Sequence, residues 1–217
     1  KKIADEQKKI NKELKVFIQV NIGNEEQKSG VNKTDLGDLD YDLRIVDSPN
    51  ELRDLIRERN LQDNKSRLVA GYCWDWKSKK DPQAMDIVLP EFGFGMQWNL
   101  SEDGPAWIIR PDSIDQIGCI HTCQGLEASY IGVIVGPDLV VRNGRVVTVP
   151  QARSTMDQSI RGYKTLLRQD PIEGARRLDL IIKNTYRTLL TRGMKGCYIY
   201  FTDPETREYF KGLSAHR

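Results

Sequence analysis

Ile120-His121-Thr122-Cys123-Gln124-Gly125-Leu126-Glu127 is the stretch on which the fold turns. It separates two apolar runs, residues 117–120 and 130–135, each of strand length rather than helix length. Polar residues and a glycine between buried-type strands mark the point where a chain leaves the carboxyl end of one strand. In an open α/β sheet that is where ligands bind. Gly125 permits a tight turn or close backbone approach. The Thr122 hydroxyl and nearby backbone N–H groups suit a phosphate, and Glu127 suits a ribose hydroxyl. As local chemistry alone, the same residues serve equally as a solvated connection.

Outward from this stretch, strand and helix patterns alternate. Downstream, Arg142-Asn143-Gly144-Arg145 sits between valine-rich pairs, and Asn-Gly in that setting signals a hairpin. Residues 176–191 carry Leu178, Ile181, Ile182, Tyr186, Leu189 and Leu190 at helical spacing, then Arg192-Gly193 and a buried-type strand at 197–201. Upstream, residues 43–46 and 67–72 read as strands. Between them Ser48 and Pro49 stand at the cap and first turn of a helix that repeats Leu52, Leu55 and Ile56. Residues 92–98 and 106–109 suggest a hairpin or short insertion, interrupted by Gly93, Gly95 and Gly104. Residues 1–14 read as a charged helix, 16–22 as a strand, 23–30 as a loop and 35–42 as a linker. The alternation predicts an α/β fold, a mostly parallel sheet with helices on both faces.

Composition sets bounds. The 217 residues, 39% hydrophobic and 29% charged, suit a soluble globular domain. A net charge of +2 gives no overall signature of a nucleic-acid binder, but residues 151–217 hold more Arg and Lys than Asp and Glu. Four scattered cysteines fit the free thiols of a cytoplasmic protein. No apolar run approaches the roughly 18 residues of a membrane span, so no membrane partner is expected. Lys1 stands where an initiator Met is expected, so the chain reads as a piece of a longer one.

Several side chains are candidates for chemistry. Arg192, at the end of a rigid helix, has the planar fork that grips phosphate oxygens; the same position suits an Arg that merely complements a helix carboxyl end. Trp74-Asp75-Trp76 offers a stacking surface for bases, with Lys77, Lys79 and Lys80 alongside. Strand alternation points the two indoles in opposite directions and one into the core. Alternation also places Cys119, His121 and Cys123 on one face, but their spacing matches no zinc pattern, and no metal is expected. A G-x-x-x-x-G-K-[ST] loop is absent, as is a strand-borne Asp-Glu pair for Mg²⁺.

Two of these stretches together resemble superfamily 1 helicases of the Rep/UvrD type. His121-Thr122-Cys123-Gln124-Gly125-Leu126-Glu127 is similar to the His-Ser-Ala-Lys-Gly-Leu-Glu segment of their second RecA-like domain. Leu190-Thr191-Arg192-Gly193 is similar to a later Leu-Thr-Arg-Ala. Tyr41-Asp42, the run from Ser66 to Trp76 and the run from Asn184 to Gly196 look like the bacterial Schlafen group 3-like DNA/RNA helicase domain, over residues 39–213.

The resemblance implies a RecA-like fold over residues 38–217. It implies that Arg192 is an arginine finger, that Glu127, with Gln124 and Gly125, lies against the nucleotide, and that His121, Thr122 and Trp74 face nucleic acid. Gln124 departs from the usual Lys. ATP and Mg²⁺ would be held mainly by a first RecA-like domain, which is the implied partner together with single- or double-stranded nucleic acid. The chain alone would be inactive. A non-catalytic nucleic-acid-binding module is the alternative. Residues 1–37, with Lys15-Val16-Phe17-Ile18-Gln19-Val20-Asn21-Ile22-Gly23, resemble part of the pyridoxal phosphate homeostasis protein family. That leaves a fragment of a pyridoxal phosphate carrier as a third reading, with too little chain for the barrel and no cofactor site carried over.

Overall fold

The computed structural model describes residues 41–99, 104–123 and 127–214. The expectations for residues 1–40 lie outside that range, as do Gln124 and Gly125.

Strands β1 (Asp42–Ile45), β2 (Ser66–Ala70), β3 (Ile87–Leu89), β4 (Phe94–Trp98), β5 (Gln116–Gly118), β6 (Ala128–Val135) and β9 (Gly193–Phe201) form one sheet in the order β1-β9-β6-β2-β5-β4-β3. All neighbours are parallel except β3, which runs antiparallel to β4 at one margin. A separate hairpin joins β7 (Leu139–Arg142) to β8 (Arg145–Thr148). Its turn residues Asn143 and Gly144 have φ of 53° and 70°, the left-handed pair that an Asn-Gly hairpin requires.

Helix α1 (Pro49–Asp63) starts as the sequence predicts. The Ser48 hydroxyl accepts from the Glu51 amide at 3.1 Å, and the Glu51 carboxylate accepts from the Asp47 amide at 3.1 Å. The first bond satisfies a donor that the opening helical turn leaves unpaired, and the second ties the residue before the cap to that turn. Leu52 and Ile56 lie on the sheet face made by Leu68, Ala70, Ile134, Tyr198 and Tyr200. The opposite face, Val69, Ile131, Val133, Cys197 and Ile199, receives Ile182, Tyr186 and Leu189 of α3 (Pro171–Leu190). Near-continuous apolar strands alternate their side chains into two cores, so helices cover both faces. The expected α/β, RecA-like organisation is therefore present.

Several local readings change. Within residues 92–98, Phe92 ends the 3-10 turn Pro90–Phe92 and β4 (Phe94–Trp98) pairs with β3 rather than with 106–109, which belongs to the 3-10 turn Gly104–Ile109. Two short helices, α2 (Tyr163–Gln169) and α4 (Pro204–Ser214), were not anticipated. The four cysteines are free, and three of them are buried. Among the described residues no helix is long and apolar enough to cross a membrane.

Candidate functional site: two rims of one sheet

Because six strands run parallel, the sheet has an amino rim and a carboxyl rim, and the expected site residues divide between them. Arg192 and Glu127 belong to the amino rim. Arg192 ends α3 and immediately precedes β9, and Glu127 immediately precedes β6. The two strands are neighbours, with Ala128 opposite Gly193, and the Ala128 amide donates to the Arg192 carbonyl at 3.0 Å. Residues 65 positions apart in sequence thus start adjacent strands side by side.

The half-buried Arg192 donates from Nε to the Thr188 carbonyl at 3.1 Å. That bond is the helix-end role anticipated from sequence. Its two terminal nitrogens make no hydrogen bond within the described residues, and Glu127 is exposed. A cation and a carboxylate on one rim fit a nucleotide's phosphates and hydroxyls respectively. The rim itself is firmly held. Asp63 at the end of α1 accepts from the Ser129 hydroxyl at 2.5 Å, and Lys195 stands 3.7 Å from the same carboxylate.

Beneath this rim, Arg67 at the start of β2 is fully buried without a carboxylate partner. Its guanidinium donates to Ser113 Oγ, Asn60 Oδ1, Asn64 Oδ1 and the carbonyls of Ser66, Ile108 and Arg110, all between 2.6 and 3.1 Å. Burial lowers its pKa to about 10, still charged at neutral pH. One cation therefore ties α1, the Gly104–Ile109 turn and β2 together. No periodic pattern in the sequence announces it.

His121, Thr122 and Trp74 lie towards the carboxyl rim. Thr122 donates to Asn99 Oδ1 at 2.7 Å, just past the end of β4. The neighbouring Trp98 indole donates to the Trp74 carbonyl at 3.2 Å, just past β2. His121 is exposed on the turn that follows β5. The sequence placed Trp74 and Trp76 on opposite faces of a strand. Instead β2 ends at Ala70, and both indoles pack partly against the α1-side core. The same reason removes the alternation assumed for Cys119, His121 and Cys123. β5 ends at Gly118, Cys119 and Cys123 are buried, and His121 points to solvent, so the three do not converge. Burial, then the nearby Cys119, pushes the Cys123 thiol up despite Arg192 opposing.

The carboxyl ends of β2 and β6 are where the chain departs in opposite directions along the sheet, the usual ligand crevice of an open sheet. Here the chain's own residues 153–157 cover it. The Ser154 amide donates to Tyr72 O at 3.0 Å and its hydroxyl to Asp75 at 2.5 Å. Arg153, with no exposed side-chain surface, bridges Asp138 at 3.2 Å and Asp157 at 2.5 Å. Sequence reading missed this charged plug, because nothing local marks Arg153 as buried.

Comparison with known proteins agrees with this architecture. The family model described as "Schlafen group 3, DNA/RNA helicase domain" matches residues 10–203, starting further towards the amino terminus than the motifs alone suggest. The uncharacterized protein YPL245W of Saccharomyces cerevisiae is 27% identical over 177 residues, covering 77% of this chain. The match spans 36% of that relative's length, so the chain corresponds to about a third of it. No solved structure matches. With its mostly parallel sheet, its paired motifs and a family match over most of its length, the chain belongs to the Schlafen group 3 DNA/RNA helicase domain family.

Proposed function

We propose that this chain is the second RecA-like half of a superfamily 1 helicase-type, nucleic-acid-dependent ATPase. Its amino rim meets a nucleotide held by a first half, and its carboxyl rim meets nucleic acid. The observation that carries the reading is the alignment of Glu127 and Arg192 at the starts of neighbouring strands. The Arg192 fork has two terminal nitrogens to offer phosphate oxygens, and Nε anchors it to the helix end. A fixed guanidinium aimed where phosphoryl charge develops stabilises the transition state more than the ground state. Glu127 accepts from a sugar hydroxyl. ATP and Mg²⁺ supply the phosphoryl chemistry, and the groups that hold them belong to the other half.

The test uses two polypeptides, this chain alone and a longer one joining it to a RecA-like half with a phosphate-binding loop. The chain alone is expected to release no phosphate from ATP, with or without DNA or RNA. The longer polypeptide is expected to turn over and to be stimulated by nucleic acid. If the longer polypeptide binds nucleic acid but never hydrolyses ATP, the non-catalytic binding module is the correct reading.

A further inference from the structure

The carboxyl rim carries the basic and aromatic loop noted in the sequence, whose Trp76 and lysines the proposed function leaves without a stated contact. Residues 74–80 follow β2 and include Trp74, Trp76, Lys77, Lys79 and Lys80. The three lysines are exposed, and none has an ion-pair partner among the described residues. The acids flanking them are committed elsewhere, Asp75 to the Ser154 hydroxyl and Asp81 to the Gln83 amide at 3.1 Å.

The loop is held rigidly by a buried carboxylate. Asp86 accepts from the Ser78 amide at 2.8 Å, the Ser78 hydroxyl at 2.5 Å and the Trp98 amide at 2.8 Å. The Lys80 and Asp81 amides both turn back to the Lys77 carbonyl, at 2.9 and 3.1 Å. Little backbone freedom is left to lose on binding. Trp76 packs partly on the core, and the Lys79 ammonium stands 5.6 Å from its ring centroid. A ring that receives a cation has a face open from outside, and an exposed cation–π contact is weaker than the stacking of a base on an indole.

We infer that this loop is a platform for single-stranded nucleic acid, on which an unpaired base stacks on Trp76 while Lys77, Lys79 and Lys80 follow the adjoining phosphates. It rests on the proposed nucleic-acid reading of the carboxyl rim and adds the strand type and contact residues. Only an unstacked base offers its face to an indole, which favours a single strand over a duplex.

Fluorescence anisotropy tests this with the full chain, a labelled oligothymidine and a duplex of equal length, from about 50 to 200 mM salt. Replacing the three lysines together by Gln should lower the slope of log affinity against log salt by about 2, since each single-strand phosphate contact contributes roughly 0.7. Trp76→Leu should weaken oligothymidine binding by about tenfold, leave duplex binding nearly unchanged, and be largely rescued by Trp76→Phe. Arg176→Gln with Arg177→Gln, on the opposite sheet face, controls for general loss of charge. Wild-type binding matched in slope and affinity by the loop variants overturns the platform and leaves the wider reading intact. No binding by the wild-type chain overturns both.

Discussion

The Tyr186 hydroxyl, carried by α3 on one face of the sheet, donates to the Asp138 carboxylate just beyond the end of β6 and accepts from the Gly136 amide at 2.9 Å. Asp138 in turn holds Arg153, so a phenol, a carboxylate and a guanidinium form one buried chain. Burial, then the Asp138 charge, pushes the phenol well above its ordinary pKa, so it is a donor at neutral pH. Tyr186→Phe should cost about 1–3 kcal/mol, because the Gly136 amide and one carboxylate oxygen lose partners in a dry site. Urea denaturation at neutral pH checks this, and an unchanged midpoint would show that water replaces the hydroxyl.

Arg67→Lys should be nearly as damaging as Arg67→Met. The guanidinium serves six acceptors from a planar fork, and an ammonium has three donors on a flexible stem. A loss of about 3–5 kcal/mol is expected for either change, from buried acceptors left unpaired. A lysine variant within about 1 kcal/mol of wild type would mean that charge, and not the fork, is what the site requires.

Arg192→Lys, in the longer polypeptide with a phosphate-binding half, should lower kcat by about 10³-fold, the low end for an arginine finger, and leave nucleotide affinity largely intact. If Arg192 acts only through its Nε bond to Thr188, the same change leaves kcat untouched and costs about 0.3–1 kcal/mol of stability. Measuring kcat and melting temperature on one variant separates the two outcomes.

Asp203 lies well below the usual carboxylate range, first through hydrogen bonding from Arg142, with Thr206 adding amide and hydroxyl donors against the opposing effect of burial. A carboxyl more acidic in the folded than in the unfolded chain stabilises the fold above its unfolded pKa of about 3.9, and loses that contribution as pH falls through the folded value. The stability gap between wild type and Asp203→Asn should therefore be constant above about pH 5 and shrink steadily below about pH 4. Urea midpoints across that range read it directly. A pH-independent gap would mean that Asn keeps the same bonds.

Local signals were the legible ones. Ser48-Pro49 announced α1, Asn143-Gly144 announced the hairpin, and the apolar spacing of residues 178–190 announced α3, because each depends on neighbours a few positions away. The antiparallel β3 escaped notice, since three residues carry too little pattern. The meeting of Glu127 with Arg192 required the strand order, which no local spacing encodes. Trp74-Asp75-Trp76 misled for a related reason, since alternation was assumed past the point where β2 ends. Arg67 stood at the start of a predicted strand and Arg153 in a stretch without pattern, and only the fold shows that both are buried.

The buried Arg153 also bears on access to the crevice at the carboxyl ends of β2 and β6. Residues 153–157 act as a latch there, because lifting them would part Arg153 from Asp138, two charges with no exposed side-chain surface. A ligand seeking that crevice would have to overcome a dry ion pair and not merely displace water.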